Sequence, residues 1–335
     1  MTARPLQARA GCAFSSSRTP LPGLTADGPA DVASAGLARS QSLAIDALLP
    51  SEMADKAERT GVQKARLDTW KLLTLALLAG AFIGFGAMFS TIVAAGSQGI
   101  LPYGVIRLLS GIAFSLGLIL VAIGGAELFT GNNLMVMAWA SRKIKLSELL
   151  RAWTLVYVGN LVGAIATAGL VFLSGDYLHG NGQVGAMALA IAQLKTALEF
   201  FPALVQGVLA NVFVCLAVWL CYSARTVVDK IFVIVPPVAA FVAAGFEHSV
   251  ANMYFIPYGI LIKHGAPSSF WAATGLDPAG YPEITALGLI ANLVPVTIGN
   301  IIGGGVLVGA VYWFIYLRSQ KPQRNCHESV GNQLV

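Results

Sequence analysis

The sequence predicts an all-α integral membrane protein of six transmembrane helices, the second and fifth broken at mid-membrane, arranged as an inverted repeat of three and three. Three observations predict it: apolar runs long enough to cross a bilayer, basic residues gathered in alternate connections, and a polar motif that recurs in the two halves. Of 335 residues, 56% are hydrophobic and only 11% charged, and the mean hydropathy is +0.72. A soluble domain carries roughly a quarter charged residues. So little charge cannot coat a globule of this size, and lipid must solvate most of the chain.

Residues 1–44 are rich in Ala, Ser, Gly, Pro and Arg without periodicity, and no apolar stretch there ends in a cleavage site. They read as a disordered cytoplasmic tail or as a start codon assigned too far upstream. Residues 45–70 read as an amphipathic cytoplasmic helix lying along the inner membrane surface, with Leu48, Leu49, Met53, Ala57 and Val62 set among charges. Crossing a bilayer takes about 20 apolar residues in a helix. The stretches 72–95, 105–126, 152–173, 200–222 and 285–317 meet that length, within a channel domain of residues 71–318 that a cytoplasmic tail, 319–335, follows. A further stretch, 231–262, is interrupted by Glu247 and His248, and 105–140 is interrupted by Glu127 and the run Thr130-Gly131-Asn132-Asn133.

The basic residues set the orientation. Arg142, Lys143, Lys145 and Arg151 fill the second connection, Arg225 and Lys230 the fourth, and Arg318, Lys321 and Arg324 follow the last span. The odd-numbered connections carry only Lys195 and Lys263, with Arg107 near the outer end of the second span. Six crossings with both termini inside fit this distribution. The net charge of +5 comes without a nucleic-acid motif or a single basic patch, so no nucleic-acid partner is expected. Cys12, Cys215, Cys221 and Cys326 show no metal-ligand spacing, and no cofactor or metal is expected.

The two interrupted spans match each other. GAELFTGNN begins at Gly125 and GFEHSVANM at Gly245, so that Glu127 aligns with Glu247 and Asn132 with Asn252. GNLVGA begins at Gly159 and GNIIGGG at Gly299. More weakly, Gly80 and Gly84 correspond to Gly207 and Asn211. Three crossings per half place the second half upside down, with the functional site expected at the interface of the repeats. Most span glycines read as packing residues, while Gly124, Gly125 and Gly245 precede the breaks and permit unusual backbone there.

Non-helical backbone at membrane depth survives only where protein or water satisfies it. Each helix restarting after a break aims a positive dipole at the gap, a setting suited to an anion. His248, the one histidine within a span, reads either as a hydrogen-bonded structural imidazole or as a pore-facing group that titrates near physiological pH. The paired Glu127 and Glu247 suggest a structural task, accepting backbone N–H bonds that hold the broken loops; an exposed carboxylate would repel an anion. Asn211, Asn160 and Asn300 lie deep in their spans, Asn211 as a pore candidate and the other two as anchors of the breaks; interhelical hydrogen bonding alone is the alternative. Lys195 precedes the fourth span, as an interface residue or as an attractor of anions.

On these residues the chain resembles the formate/nitrite transporter family, and among its members the bacterial formate channels. The strings that carry the resemblance are FSLGLILVAIGGAELFTGN (114–132), VYVGNLVGA (156–164), GVLANVFVCLAVW (207–219), GFEHSVANMYFIP (245–257) and NLVPVTIGNIIGGG (292–305), and it extends from about residue 46 to 318. The resemblance implies an aquaporin-like protomer with its own pore, a homopentamer, and a place in a bacterial inner membrane. It implies that Phe114, Leu118, Leu128, Phe129 and Phe241 shape two constrictions around a chamber. Thr130, Asn211 and His248 would make its polar contacts, and Lys195 would stand in a vestibule with Glu247 beside the histidine. The run Gly131-Asn132-Asn133 departs from the small hydroxylated residues usual there, which bears on gating.

The expected function is passage of a small monovalent anion, formate first, with His248 hydrogen-bonding it or lending it a proton. Nitrite, hydrosulfide, acetate and lactate are rivals within the family, and a neutral-solute channel is a rival outside it. An enzyme is not expected: His248 beside Glu247 offers neither a nucleophile with its base nor a metal cluster.

Overall fold

The computed structural model describes residues 47–97 and 99–319; the expected terminal tails lie outside these, Ser319 excepted. The described residues form helices and no strands. Helix α1 (Pro50–Ala65) starts with proline at its first position, and Glu52 accepts from the Leu49 N–H. It does not merely lie along a surface. Met53 and Ala57 pack with Met137, Trp219 and Leu317, and Lys143 forms an ion pair with Glu58, so α1 is docked against the bundle.

The spans follow as α2 (Thr69–Ala94), capped by Asp68, and α3 (Tyr103–Gly124). After the first break come α4 (Phe129–Asn132), a 3-10 turn (Asn133–Met135) and α5 (Val136–Ala140). The third span is α6 (Leu146–Leu173), and the connection beyond it carries α7 (Gln183–Thr196). The second half repeats the plan with α8 (Phe200–Ser223), α9 (Val227–Ala244), a second break and α10 (Ser249–Gly265). A short α11 (Ser268–Thr274) precedes α12 (Ala286–Ile301), which runs through a π-helical segment, Ile302–Ala310, into α13 (Val311–Tyr316). Six of these stretches are long and apolar enough to cross a membrane. The sequence reading contained neither α7 nor α11.

Helices α2 and α6 in the first half, and α8 and the last span in the second, touch backbone to backbone. A Cβ on Gly163 would lie 2.0 Å from the Leu77 carbonyl oxygen, and one on Gly303 would lie 2.1 Å from that of Val208. In lipid, where no water is left to expel between helices, this close approach is how helices gain contact energy. Both broken spans end their first helix on a left-handed glycine, Gly125 at φ 82° and Gly245 at φ 80°. A side chain there would be strained, and the turn frees the next three residues from the helix.

Candidate functional site

Each break exposes backbone that the membrane interior cannot solvate. One asparagine closes each. In the first, Asn160 Oδ1 accepts from the Phe129 N–H at 2.9 Å, and its amide donates to the carbonyls of Glu127 at 2.9 Å and Ala76 at 2.7 Å. In the second, Asn300 Oδ1 accepts from the Ser249 N–H at 2.9 Å, and its amide donates to the carbonyls of Glu247 at 3.0 Å and Gly207 at 2.7 Å. The Glu127 N–H donates to the Leu75 carbonyl and the Glu247 N–H to that of Gln206.

The two glutamates therefore do something other than the expected capture of backbone N–H groups, which the asparagines perform. Glu127 Oε2 accepts from the Asn132 amide at 2.8 Å and from Lys64 Nζ at 2.9 Å. Glu247 accepts from the Asn252 amide at 2.5 Å and from Lys195 Nζ at 2.8 Å. A buried carboxylate is tolerated when it is paired and hydrogen-bonded, and both are.

Lys64 escaped the sequence reading. It stands at one constant sequence offset from Lys195, the same offset that relates Leu75 to Gln206 and Ala76 to Gly207. These bonds also correct the weak correspondence in the first span: Gly80 matches Asn211, one helical turn from the expected register. Read at that offset, Lys64 is the signal the sequence held.

Between the breaks lies a cavity of about 10 Å³, room for a single water, lined by Ile83, Phe114, Leu118, Leu128, Val214, Val238, Phe241 and His248. His248 is its polar member. The ring's Nε2 lies 2.9 Å from Thr130 Oγ1, and its Nδ1 accepts from the Ala251 N–H at 3.1 Å. Since Nδ1 is the acceptor, this arrangement places the ring hydrogen on Nε2, which donates to Thr130. The threonine hydroxyl keeps its own hydrogen to offer elsewhere.

The aromatic side of the cavity continues outward through Phe114, edge-on to Phe241 at 5.8 Å and stacked on Phe255 at 6.5 Å. Lys195 Nζ stands 5.3 Å over the Phe255 ring. On the other side, Leu118 and Leu128 separate the cavity from a vestibule of about 510 Å³ that contains Lys64 and Glu127. The order from end to end is thus lysine–glutamate pair, aromatic rings, His248 with Thr130, leucine pair, lysine–glutamate pair.

Two expected site residues lie off this line. Phe129 packs edge-on against Tyr157 at 4.9 Å and Trp153 at 6.1 Å and does not line the cavity, because Asn160 holds its backbone against the third span. Asn211 is fully buried, and its amide donates to the carbonyls of Asn300 at 2.6 Å and Thr130 at 3.3 Å. It braces the backbone that carries Thr130.

Comparison with known proteins gives the family. The family described as formate/nitrite transporter matches residues 51–314. The chain is 50% identical over 274 residues to the formate channel FocA of Escherichia coli K12, covering 82% of this chain and 96% of that one. It is 41% identical over 271 residues to the formate channel FocA of Haemophilus influenzae, covering 81% and 95%. A solved pentameric formate channel with formate bound superposes with a TM-score of 0.71 at 48% identity, covering 75% of this chain and 98% of that one. This chain is a multi-pass membrane protein that belongs to the formate/nitrite transporter family.

Proposed function

We propose that the chain is a channel for small monovalent anions with formate as its permeant, assembled as a homopentamer in a bacterial inner membrane with both termini cytoplasmic. The observation that carries this reading is the His248–Thr130 pair, a hydrogen-bonding centre inside an otherwise apolar passage capped at each end by a lysine–glutamate pair. The relatives named as formate channels, and the pentameric one with formate bound, support the permeant and the assembly.

An ammonium has three N–H donors. Lys195 donates one to Glu247, and Lys64 donates to Glu127 and Asn132, so both keep capacity for an arriving anion. Beyond them the rings and leucines strip water, which is costly for a charge unless hydrogen bonds replace it. Thr130 is placed to supply such a bond: with its oxygen accepting from His248, its hydroxyl hydrogen is left for a carboxylate oxygen that reaches the histidine.

Lending a proton is more demanding. The transferable proton would sit on Nδ1 or make the ring cationic, and the Ala251 N–H occupies Nδ1. A proton-coupled passage therefore requires the ring to leave its Ala251 bond, whereas hydrogen bonding to the anion requires no rearrangement.

Formate flux into proteoliposomes, followed from acid to neutral pH with nitrite in parallel, tests the reading. Saturable formate entry that loses its pH dependence in His248→Asn is the expected result. Entry of nitrite without formate would overturn the permeant, and an unchanged pH profile in the variant would remove the histidine from the coupling.

A further inference from the structure

We propose that the vestibule beside Glu127 is a binding site for a multivalent phosphate, which closes the pathway from that side; the closing rests on the channel reading, the binding does not. The cavity is far larger than formate needs. At about 510 Å³ it falls in the range of small-molecule sites, about 300–1,000 Å³.

Among the described residues its charged lining is Lys56, Lys64, Arg225 and Lys230 with the carboxylate of Glu127. That carboxylate is already engaged by Lys64. The other nearby acids are engaged too: Glu58 pairs with Lys143, and Asp229 caps α9 by accepting from the backbone N–H groups of Thr226 and Arg225. Among the described residues no carboxylate comes within ion-pair distance of Lys56 or Lys230. Burial, and then the neighbouring charges of Arg225 and Lys230, hold the Lys56 ammonium below the usual lysine range. The cations are thus close enough to repel one another, and a bound anion would relieve the repulsion.

A monovalent anion gains one charge's worth of that potential, and an anion of higher valence gains a multiple. Phosphate groups suit the clustered ammonium groups of Lys56 and Lys230, which bind them as point charges. The floor of the vestibule is Leu118, Val121 and Leu128. A multivalent anion cannot shed its water to pass that floor, so it remains and obstructs.

Inorganic pyrophosphate is the probe. Thermal unfolding of the detergent-purified chain and formate flux in proteoliposomes are measured with pyrophosphate on both faces, ionic strength being held constant with chloride. Pyrophosphate is expected to raise the melting temperature and to lower flux saturably. Lys56→Gln and Lys230→Gln, made separately, are each expected to raise the half-effective concentration about tenfold, the loss of one charged contact. The proposal fails if millimolar pyrophosphate acts no differently from chloride, if both variants respond like the parent, or if melting shifts while flux does not. Absent formate flux in pyrophosphate-free vesicles would instead count against formate as permeant, and the melting shift and its loss in the two variants would still decide the site.

Discussion

The two breaks are the same frame furnished differently. Each has a left-handed glycine, a glutamate, an asparagine five residues on, a latching asparagine from the last span of its half, and a lysine from outside the broken span. The furnishing differs where the pathway runs. Leu128 occupies the position of His248, and Thr130 that of Val250, so the central hydrogen bond joins positions that are not equivalent. The mouths differ as well. At the offset that pairs Lys64 with Lys195, the counterpart of Lys56 is Met187. Duplication supplied the scaffold twice, and the chemistry sits in what the copies do not share.

The strongest test of the shared frame is to remove a latch. Asn160→Leu and Asn300→Leu each delete three buried hydrogen bonds and leave backbone groups unsatisfied. Each should cost on the order of 5 kcal/mol, seen as a large fall in melting temperature in detergent, and equal sensitivity of the two halves is expected. Next come the lysines. Lys195→Gln strands a buried carboxylate and should cost about 3 kcal/mol. Lys64→Gln should cost less, because its side chain is 25% exposed against 14% for Lys195. Pairing each with Gln at its glutamate should recover part of the loss in a double-mutant cycle.

His248→Leu makes the second break resemble the first. Formate flux should fall about tenfold, because Thr130 loses the partner that orients its hydroxyl toward the permeant. The melting temperature should fall too, because the Ala251 N–H loses its acceptor at a cost of about 1–3 kcal/mol. Retained flux would detach the histidine from the pathway. The smallest effect concerns Lys56. Its folded pKa lies below its unfolded value of 10.5, so between the two the unfolded chain holds more protons and stability rises with pH. Lys56→Gln should flatten that rise in an alkaline melting series.

Most of the frame was legible. Lipid gives a polar residue nowhere to be solvated, so Glu127, Glu247, Asn160 and Asn300 stand out of apolar runs, and their spacing reveals the repeat. Lys64 was not legible, because it lies on a helix whose charges read as a solvated face, and because matching Gly80 to Gly207 sets the register one turn off. Phe129 and Asn211 misled for a different reason. At Phe129 a single residue separates the side chain that faces the cavity, Leu128, from one that faces a neighbouring helix, and the geometry of the restarting helix decides between them. Asn211, in an unbroken span, is taken up by the carbonyls of Asn300 and Thr130. Nor does Gly303-Gly304-Gly305 announce a π-helix: a Cβ on Gly304 would lie 2.3 Å from Asn211 Nδ2, a crowding visible only once the helices are assembled.

The order of the polar partners along the chain has a consequence for biogenesis. Lys64 precedes Glu127, and Lys195 precedes Glu247, while Asn160 and Asn300 come after. Synthesis runs from the N-terminus, so each acidic residue leaves the ribosome after its counter-ion. It then waits for its asparagine until the third helix of its own half emerges. Each half carries its own glutamate, counter-ion and latching asparagine, whereas the brace on the Thr130 carbonyl, Asn211, arrives only with the first span of the second half.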